Sequence, residues 1–331
     1  MYWVTGATGL VGKYMVKALL VRGNRVLAFY HTTPFAETEI WLKEQGISDA
    51  QMKTLTWMSA ADWDFLDPEQ ELSALIHCAA MVSYHRKDHA AMMEVNVHQT
   101  ERWVNWCLDH QVPMGYVSSI AALGKAAEGK KINEDCFWQP SKDHTEYART
   151  KFLSEMEVWR GHEEGGQFVI VNPGVIIGDC SPRQSTGALF ETVARNWRGY
   201  PQGGTGWVSA QDVAKAMLEL LDNGKWGQRF VLVAENHTMQ WAFEQIARSM
   251  GLKKPNWKVN GLVLKLLWLL DGFKERFMCI QAKITEEAIR NTAQVKEYSA
   301  EKIQKEIGFQ FENMEEVFSK TGTYMRRHLH L

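Results

Sequence analysis

The sequence predicts an α/β protein built on a doubly wound parallel sheet, followed by a smaller, mostly helical lobe. Three observations support this prediction. Short apolar strands alternate with longer amphipathic stretches as far as about residue 175, the strands show no polar alternation, and a glycine-rich loop joins the first strand to the first helix. Strands of this kind are buried on both faces, as in parallel sheets covered by helices. With 331 residues, 45% of them hydrophobic, the chain can form one large domain or two unequal ones.

The individual elements follow in chain order. The predicted strands are "YWVT", "RVLAFY", "KTLTWM", "ALIHCA", "MGYVSS" and "FVIVN", and the predicted helices lie near 10–22, 36–45, 87–110 and 144–163. After "VNPG" the chain becomes rich in Gly, Pro and Ser, and then "SAQDVAKAMLELL" predicts a helix and "RFVLVA" a further strand. We therefore expect a first domain of residues 1–178, to which 208–235 return. A lobe of 179–207 and 236–331 should close a cleft over the carboxyl ends of the strands.

Composition excludes several classes of function. A net charge of −2 argues against a surface that binds nucleic acid. The five cysteines have no metal-ligand spacing, so no metal site is expected. The first residues form an apolar strand without a basic leader, which predicts a cytoplasmic protein. The apolar run 261–270 is too short to span a bilayer, and it predicts either a buried or pocket-covering helix or a membrane-surface helix.

The glycine loop "VTGATGLVG" places Gly6, Gly9 and Gly12 between the first strand and the first helix. Glycines there permit a tight turn, a close approach of the backbone to a diphosphate, and close packing of helix on strand. The phosphates would lie at the positive end of the helix. The sequence thus predicts a dinucleotide site, with a purely structural turn as the alternative.

Two tyrosine-lysine pairs have a spacing that places both side chains on one helix face: "YARTK" at 147–151 and "YSAEK" at 298–302. A serine-containing strand end, "YVSSIAALG", precedes only the first pair, and "FVIVNPG" follows it. Spacing alone does not choose between the two pairs, and the second pair is interpreted as a solvated helix turn because no serine loop precedes it.

Taken together, the GxxGxxG loop, the serine loop and YxxxK resemble the extended short-chain dehydrogenase/reductase family, from Tyr2 to about Gly322. The branch containing dihydroflavonol reductase and hydroxysteroid-dehydrogenase-like proteins is the most similar. The resemblance implies a dinucleotide-binding Rossmann domain, a substrate-binding lobe, and hydride transfer to or from a nicotinamide.

Catalytic residues implied by the resemblance are Asn96, Ser119, Tyr147 and Lys151. Ser119 is preferred to Ser118 by its distance from Gly124. For Asn96, a proton-relay role and a structural tie between a helix and a strand remain open. The implied cofactor-binding residues are Gly6, Thr8, Gly9, Leu10, Val11, Gly12, His31, Thr32, Asp62, Trp63, Ala79, Ala80, Tyr147, Lys151, Pro173, Gly174 and Val175.

The second strand ends in "FYHTT", without a carboxylate to bind a ribose 2′-hydroxyl. His31 and Thr32 could instead donate to a 2′-phosphate, so NADP is the expected cofactor, with NAD as the alternative. Lys151 and the positive nicotinamide are expected to lower the pKa of Tyr147.

Three functions compete. The first is an NAD(P)-dependent oxidoreductase acting on a small-molecule carbonyl or alcohol, whose pocket draws on Ser83, Tyr84 and the 179–206 loops. The second is a nucleotide-sugar epimerase or dehydratase, in which Arg183, Arg195 and Arg198 hold a diphosphate. The third is a nucleotide-sensing protein without turnover.

The resemblance also implies a homodimer through helices 87–110 and 144–163. The side chains that suit either that interface or the core are Trp103, Trp106 and Trp159.

Overall fold

The structure is a computed structural model that describes residues 1–31, 33–61, 72–141, 144–181, 186–195, 197–259 and 295–329. Its strands are β1 (Tyr2–Thr5), β2 (Val26–Tyr30), β3 (Leu55–Ser59), β4 (Ala74–His77), β5 (Met114–Val117), β6 (Phe168–Pro173), β7 (Val175–Ile177), β8 (Gly199–Pro201), β9 (Gly204–Ser209), β10 (Gln228–Leu232), β11 (Glu235–Thr238) and β12 (Trp257–Val259). Its α-helices are α1 (Leu10–Val21), α2 (Ala36–Glu44), α3 (Asp49–Met52), α4 (His89–Met93), α5 (Gln99–Asp109), α6 (Glu146–Glu163), α7 (Gly187–Ala194), α8 (Ala210–Asp222), α9 (Met239–Ser249), α10 (Glu301–Ile307) and α11 (Met314–His328).

The central sheet has seven strands in the order β10-β6-β5-β4-β1-β2-β3. Every neighbouring pair is parallel. Strand order reverses between β1 and β4, which creates a crevice at the carboxyl ends of these strands. The predicted doubly wound fold is confirmed.

Apolar side chains cover both faces of the sheet. One cluster joins the sheet to α1 and α8, and the other joins it to α5 and α6. Trp103 and Trp106 belong to the second cluster, where Trp106 stacks on Trp3 with ring centroids 4.7 Å apart. These two tryptophans therefore stabilise the monomer core and are not free for a subunit interface, and Trp159 packs against the same cluster.

The second lobe contains α7, α9 and α11 around a separate apolar core that includes Trp207, Phe190 and Phe318. Two small sheets, β11-β9-β7 and β12-β8, are separate from the central sheet. The sequence pattern did not predict these short strands. Residues 261–270 lie outside the described residues. Within the described ranges, no helix combines the length and the hydropathy needed to cross a membrane.

The interpretation of "YSAEK" as a solvated helix turn is wrong. Tyr298 is only 6% exposed and packs with Leu123, Val231 and Val233. It lies in an extended segment that bridges to Ile132, and α10 begins only at Glu301. The pair therefore does not share a helix face.

The predicted helix at 87–110 contains an unexpected irregularity. It begins with a 3₁₀ turn, continues as α4, passes through a π-helical turn at Glu94–His98, and resumes as α5. Asn96 lies in this π turn and is buried. Such turns often occur at functional sites.

Candidate active site

The predicted site residues meet at the carboxyl edge of the central sheet. Thr5, at the end of β1, is paired in register with His77 at the end of β4, and His77 is paired in register with Tyr116 on β5. Val117 on β5 is level with Val171 on β6. Because these strands are parallel, the loops that follow them open on one side of the sheet.

The glycine loop has the geometry that a dinucleotide requires. Gly6 has φ +62°, and a Cβ there would lie 2.7 Å from the backbone nitrogen of Ala79. A Cβ on Gly12 would overlap the carbonyl of Gly6. Gly9 precedes α1 without a side-chain cap, so the first amides of the helix are left for a ligand. These residues fit a bound diphosphate.

The other described cofactor candidates lie in the loop itself, at the start of α1 and after β4 and β6. Ala79 and Ala80 follow β4, and the amide of Ala79 donates to the Thr5 hydroxyl at 3.3 Å. Thr8 lies in the loop, and α1 begins with Leu10 and Val11. Pro173, Gly174 and Val175 pass from β6 into β7.

The region where the adenosine end of the cofactor is expected is only partly described. His31 is exposed at the end of β2. Thr32, Asp62 and Trp63 lie outside the described residues.

The two serines after β5 have different environments. Ser118 is buried and donates to the Glu155 carboxylate at 2.7 Å. Ser119 caps the following 3₁₀ turn, and its hydroxyl accepts from the amide of Ala121 at 3.1 Å. The Ser119 side chain also lies near enough to Tyr147 to act on the pKa of its phenol. The structure therefore brings Ser119, rather than Ser118, together with Tyr147.

Tyr147 lies in the first turn of α6, which Thr145 caps by accepting from the amide of Ala148. Burial raises the pKa of Tyr147 above its usual value, the neighbouring Tyr84 raises it further, and the hydrogen bond from Ser119 lowers it. This direction differs from the expectation that Lys151 would lower the pKa. Desolvation of the half-buried phenol is the largest influence.

Lys151 lies one helical turn beyond Tyr147 and is 1% exposed. Its amine donates to the Tyr116 hydroxyl at 2.7 Å and to the carbonyl of Val117 at 2.9 Å. Burial lowers the pKa of Lys151 to about 7, although the nearby Glu155 and Cys78 act to raise it. The charged and neutral amine are therefore both populated near neutral pH.

Asn96 connects the loop after β4 to α6. Its amide nitrogen donates to the carbonyl of Met81 at 2.9 Å and to the Thr150 hydroxyl at 3.0 Å, and its oxygen accepts from the amide of Met81 at 2.7 Å. Thr150 in turn donates to the carbonyl of Tyr147 at 2.9 Å. The described contacts are those of a structural tie, which is one of the two roles left open by the sequence.

A buried polar network beneath the serine loop was not predicted. Arg229 on β10 pairs with Glu155 at 2.9 Å, and Glu155 also accepts from Asn172 at 2.8 Å. Asn172 donates as well to the carbonyl of Ser119 at 3.0 Å. Since Glu155 continues the i+4 series of Tyr147 and Lys151, its place on this helix face could have been found from spacing alone.

The chain is similar to known proteins in sequence and in fold. A model of the NAD dependent epimerase/dehydratase family matches residues 2–232, more than half of the chain. A putative dihydroflavonol 4-reductase from Synechocystis sp. is 24% identical over 99% of this chain and 95% of its own. Sterol demethylase protein B from Methylococcus capsulatus is 27% identical over 83% of this chain and 82% of its own.

Solved structures have the same fold. The crystal structure of gox2253 superimposes with a TM-score of 0.79 at 25% identity, covering 99% of this chain and 98% of the other. Structures of similar fold include complexes with NAD and with NADPH. The resemblance predicted from the sequence motifs is confirmed.

Proposed function

The chain belongs to the NAD dependent epimerase/dehydratase family, and we propose that it reduces a small-molecule carbonyl, or oxidises the corresponding alcohol, using Ser119, Tyr147 and Lys151. The family and its named reductases indicate an NAD(P)-dependent enzyme of the extended short-chain type. The observation that carries the finer proposal is the approach of the Ser119 side chain to the half-buried Tyr147 phenol, at the edge of the sheet where the glycine loop also opens.

Tyr147 has the protonation state that reduction requires. Its raised pKa keeps the phenol neutral at physiological pH, so it can donate a proton to a substrate oxygen. When bound, the nicotinamide supplies or takes up the hydride. Ser119 donates a hydrogen bond to the same oxygen and orients it. In the oxidation direction, Tyr147 would have to lose its proton first, which burial opposes.

Lys151 and Asn96 support this pair. The protonated Lys151 amine brings a positive charge to the proposed cofactor site. Two of its three N–H groups bind β5, and the third can donate to a ribose hydroxyl. Asn96 holds the carbonyl of Met81 and the first turns of α6 in place. We assign Asn96 a positioning role rather than a proton-transfer role.

NADP is the proposed cofactor, and NAD is the alternative. Support comes from the end of β2, where Tyr30 is followed by His31 and no carboxylate precedes Pro34 in the sequence. Residues 1–178 and 208–235 would bind the cofactor, and 179–207 and 236–331 the substrate. We further propose a cytoplasmic homodimer formed through the outer surfaces of α5 and α6.

A nucleotide-sugar substrate has less support. Arg195, one of the three arginines that could hold a diphosphate, pairs with Glu191 at 2.6 Å. Arg183 lies outside the described residues. Two curated relatives that span most of the chain are named putative dihydroflavonol 4-reductase and sterol demethylase protein B.

The proposal is tested with a panel of aldehydes and ketones and one of nucleotide sugars, each with NADPH and with NADH. We expect at least one carbonyl compound to oxidise NADPH in a one-to-one ratio. Conversion of a nucleotide sugar without net oxidation of cofactor would instead support an epimerase or dehydratase. Cofactor binding without turnover of either panel would support a nucleotide sensor.

A further inference from the structure

The Lys151 amine is held by β5 rather than by a carboxylate. Its described bonds go to the Tyr116 hydroxyl and the carbonyl of Val117, and its nitrogen lies 4.5 Å from the centre of the Tyr116 ring. Glu155, one turn further along α6, is already bound by Arg229, Ser118 and Asn172. The phenolic oxygen of Tyr116 is therefore the side-chain acceptor for this amine.

The direction of each hydrogen bond around Tyr116 is fixed by the available protons. Ser154 lies 2.9 Å from the carbonyl of Thr150 and 3.1 Å from that of Lys151, and a carbonyl can only accept. A hydroxyl has one proton, so Ser154 donates to the helix backbone. Tyr116, 2.6 Å from Ser154, must then donate to the serine oxygen. Its own lone pairs are left to accept from Lys151.

The Tyr116 ring is also fixed from its other side. The His77 ring stacks against it with centroids 5.7 Å apart, and His77 is itself bound to Thr5 at 2.6 Å and to Thr100 at 3.1 Å. Burial lowers the pKa of His77 to about 3, so this neighbour is neutral. Two further titratable neighbours are neutral as well: burial raises the pKa of Cys78 to about 12, and burial also raises that of Tyr147, which acts on Tyr116.

We propose that Tyr116, oriented by Ser154, is a positioning residue that holds the Lys151 amine against β5 and stabilises its charged form for contact with the bound cofactor. The hydrogen bonds run in one direction, from Lys151 through Tyr116 and Ser154 to the backbone of α6, and such chains strengthen one another in a buried setting. The inference rests on the proposed function in that it assigns Lys151 to the cofactor site.

The test is the pH dependence of NADPH binding, measured by calorimetry from pH 5.5 to 9 with the parent and Tyr116→Phe. In the parent, affinity should fall as Lys151 loses its charge. Tyr116→Phe keeps the ring but removes the acceptor, so the fall should begin about one pH unit lower. At pH 8 the variant should bind NADPH about tenfold more weakly, the lower end expected for a lost hydrogen bond to a charged group.

Two further variants separate positioning from packing. Tyr298→Phe removes a buried phenol outside this network and should leave the binding midpoint unchanged. Ser154→Ala keeps Tyr116 but frees its hydroxyl to rotate, so the midpoint should shift in the same direction by a smaller amount. If Tyr116→Phe does not fold, the Ser154→Ala shift decides the question.

This inference is overturned if folded Tyr116→Phe shows the same midpoint as the parent in the pH dependence of NADPH binding. If Tyr116→Phe does not fold, an unchanged midpoint in Ser154→Ala overturns it instead. The result is independent of the reaction, because binding is measured without substrate. A shifted midpoint combined with an inactive carbonyl panel would leave the role of Tyr116 intact and refute the proposed function alone.

Discussion

Raising the pH should stabilise the cofactor-free protein through Lys151. In the folded state the pKa of this amine is lowered to about 7, whereas an unfolded lysine has a pKa of about 10.4. Below pH 7 both states hold the proton, and the cost of burying the charge is fully present. Between the two pKa values the unfolded state binds more protons, so stability rises with pH. The gain from pH 7 to pH 9 is about 2 kcal/mol on the linkage relation.

Urea unfolding of the parent and of Lys151→Met at pH 6, 7, 8 and 9 measures this contribution. Subtracting the variant removes the effects of other titrating groups, including Lys13, whose pKa burial lowers to about 8. The difference in unfolding free energy should change little from pH 6 to 7 and then shift by about 2 kcal/mol in favour of the parent by pH 9. A difference that stays constant from pH 6 to 9 would show that the amine keeps its proton and is hydrated.

Three further predictions concern the framework of the site. Gly6→Ala should lower the unfolding free energy by about 1–3 kcal/mol and abolish NADPH binding in calorimetry. An alanine at φ +62° is strained, and its Cβ would also clash with the backbone of Ala79. Unchanged binding would contradict the proposal that the glycine loop holds the diphosphate. Arg229→Met should cost about 3–5 kcal/mol in urea unfolding, since Glu155 would remain buried without its ion-pair partner, and a loss below about 1 kcal/mol would contradict this role of the pair. Light scattering at micromolar concentration should give a dimer mass, and a monomer mass would refute the proposed α5–α6 interface.

The sequence was sufficient to predict the central sheet, because buried parallel strands and amphipathic helices have different periodicities. It also predicted that the glycine loop opens α1, since the loop directly follows an apolar strand. The short strands β7, β8, β11 and β12 were missed, because three or four residues are too few to show a period. Tyr298 was misplaced for a related reason: YxxxK spacing puts two residues on one face only if the segment is helical.

Within the candidate site, motif order selected Ser119 and Tyr147, and Ser119 is the serine that acts on the pKa of Tyr147. The partners of Lys151 could not be predicted in the same way. Tyr116 lies 35 residues earlier on β5, and only the packing of α6 against that strand brings its hydroxyl to the amine. The direction of the Tyr147 pKa was also missed, because desolvation of the phenol is a property of the packed structure that YxxxK spacing does not show.

The most direct measurement is the rate of NADPH oxidation, with a carbonyl substrate from the panel, by the parent, Tyr147→Phe and Tyr298→Phe. Tyr147→Phe removes the hydroxyl assigned to proton transfer but keeps the ring, so turnover should fall by about a hundredfold or more, while NADPH still binds. Tyr298→Phe removes a buried phenol outside the site and should retain turnover near that of the parent. Full activity in Tyr147→Phe, or loss of activity in folded Tyr298→Phe, would contradict the assignment of Tyr147 as the proton donor.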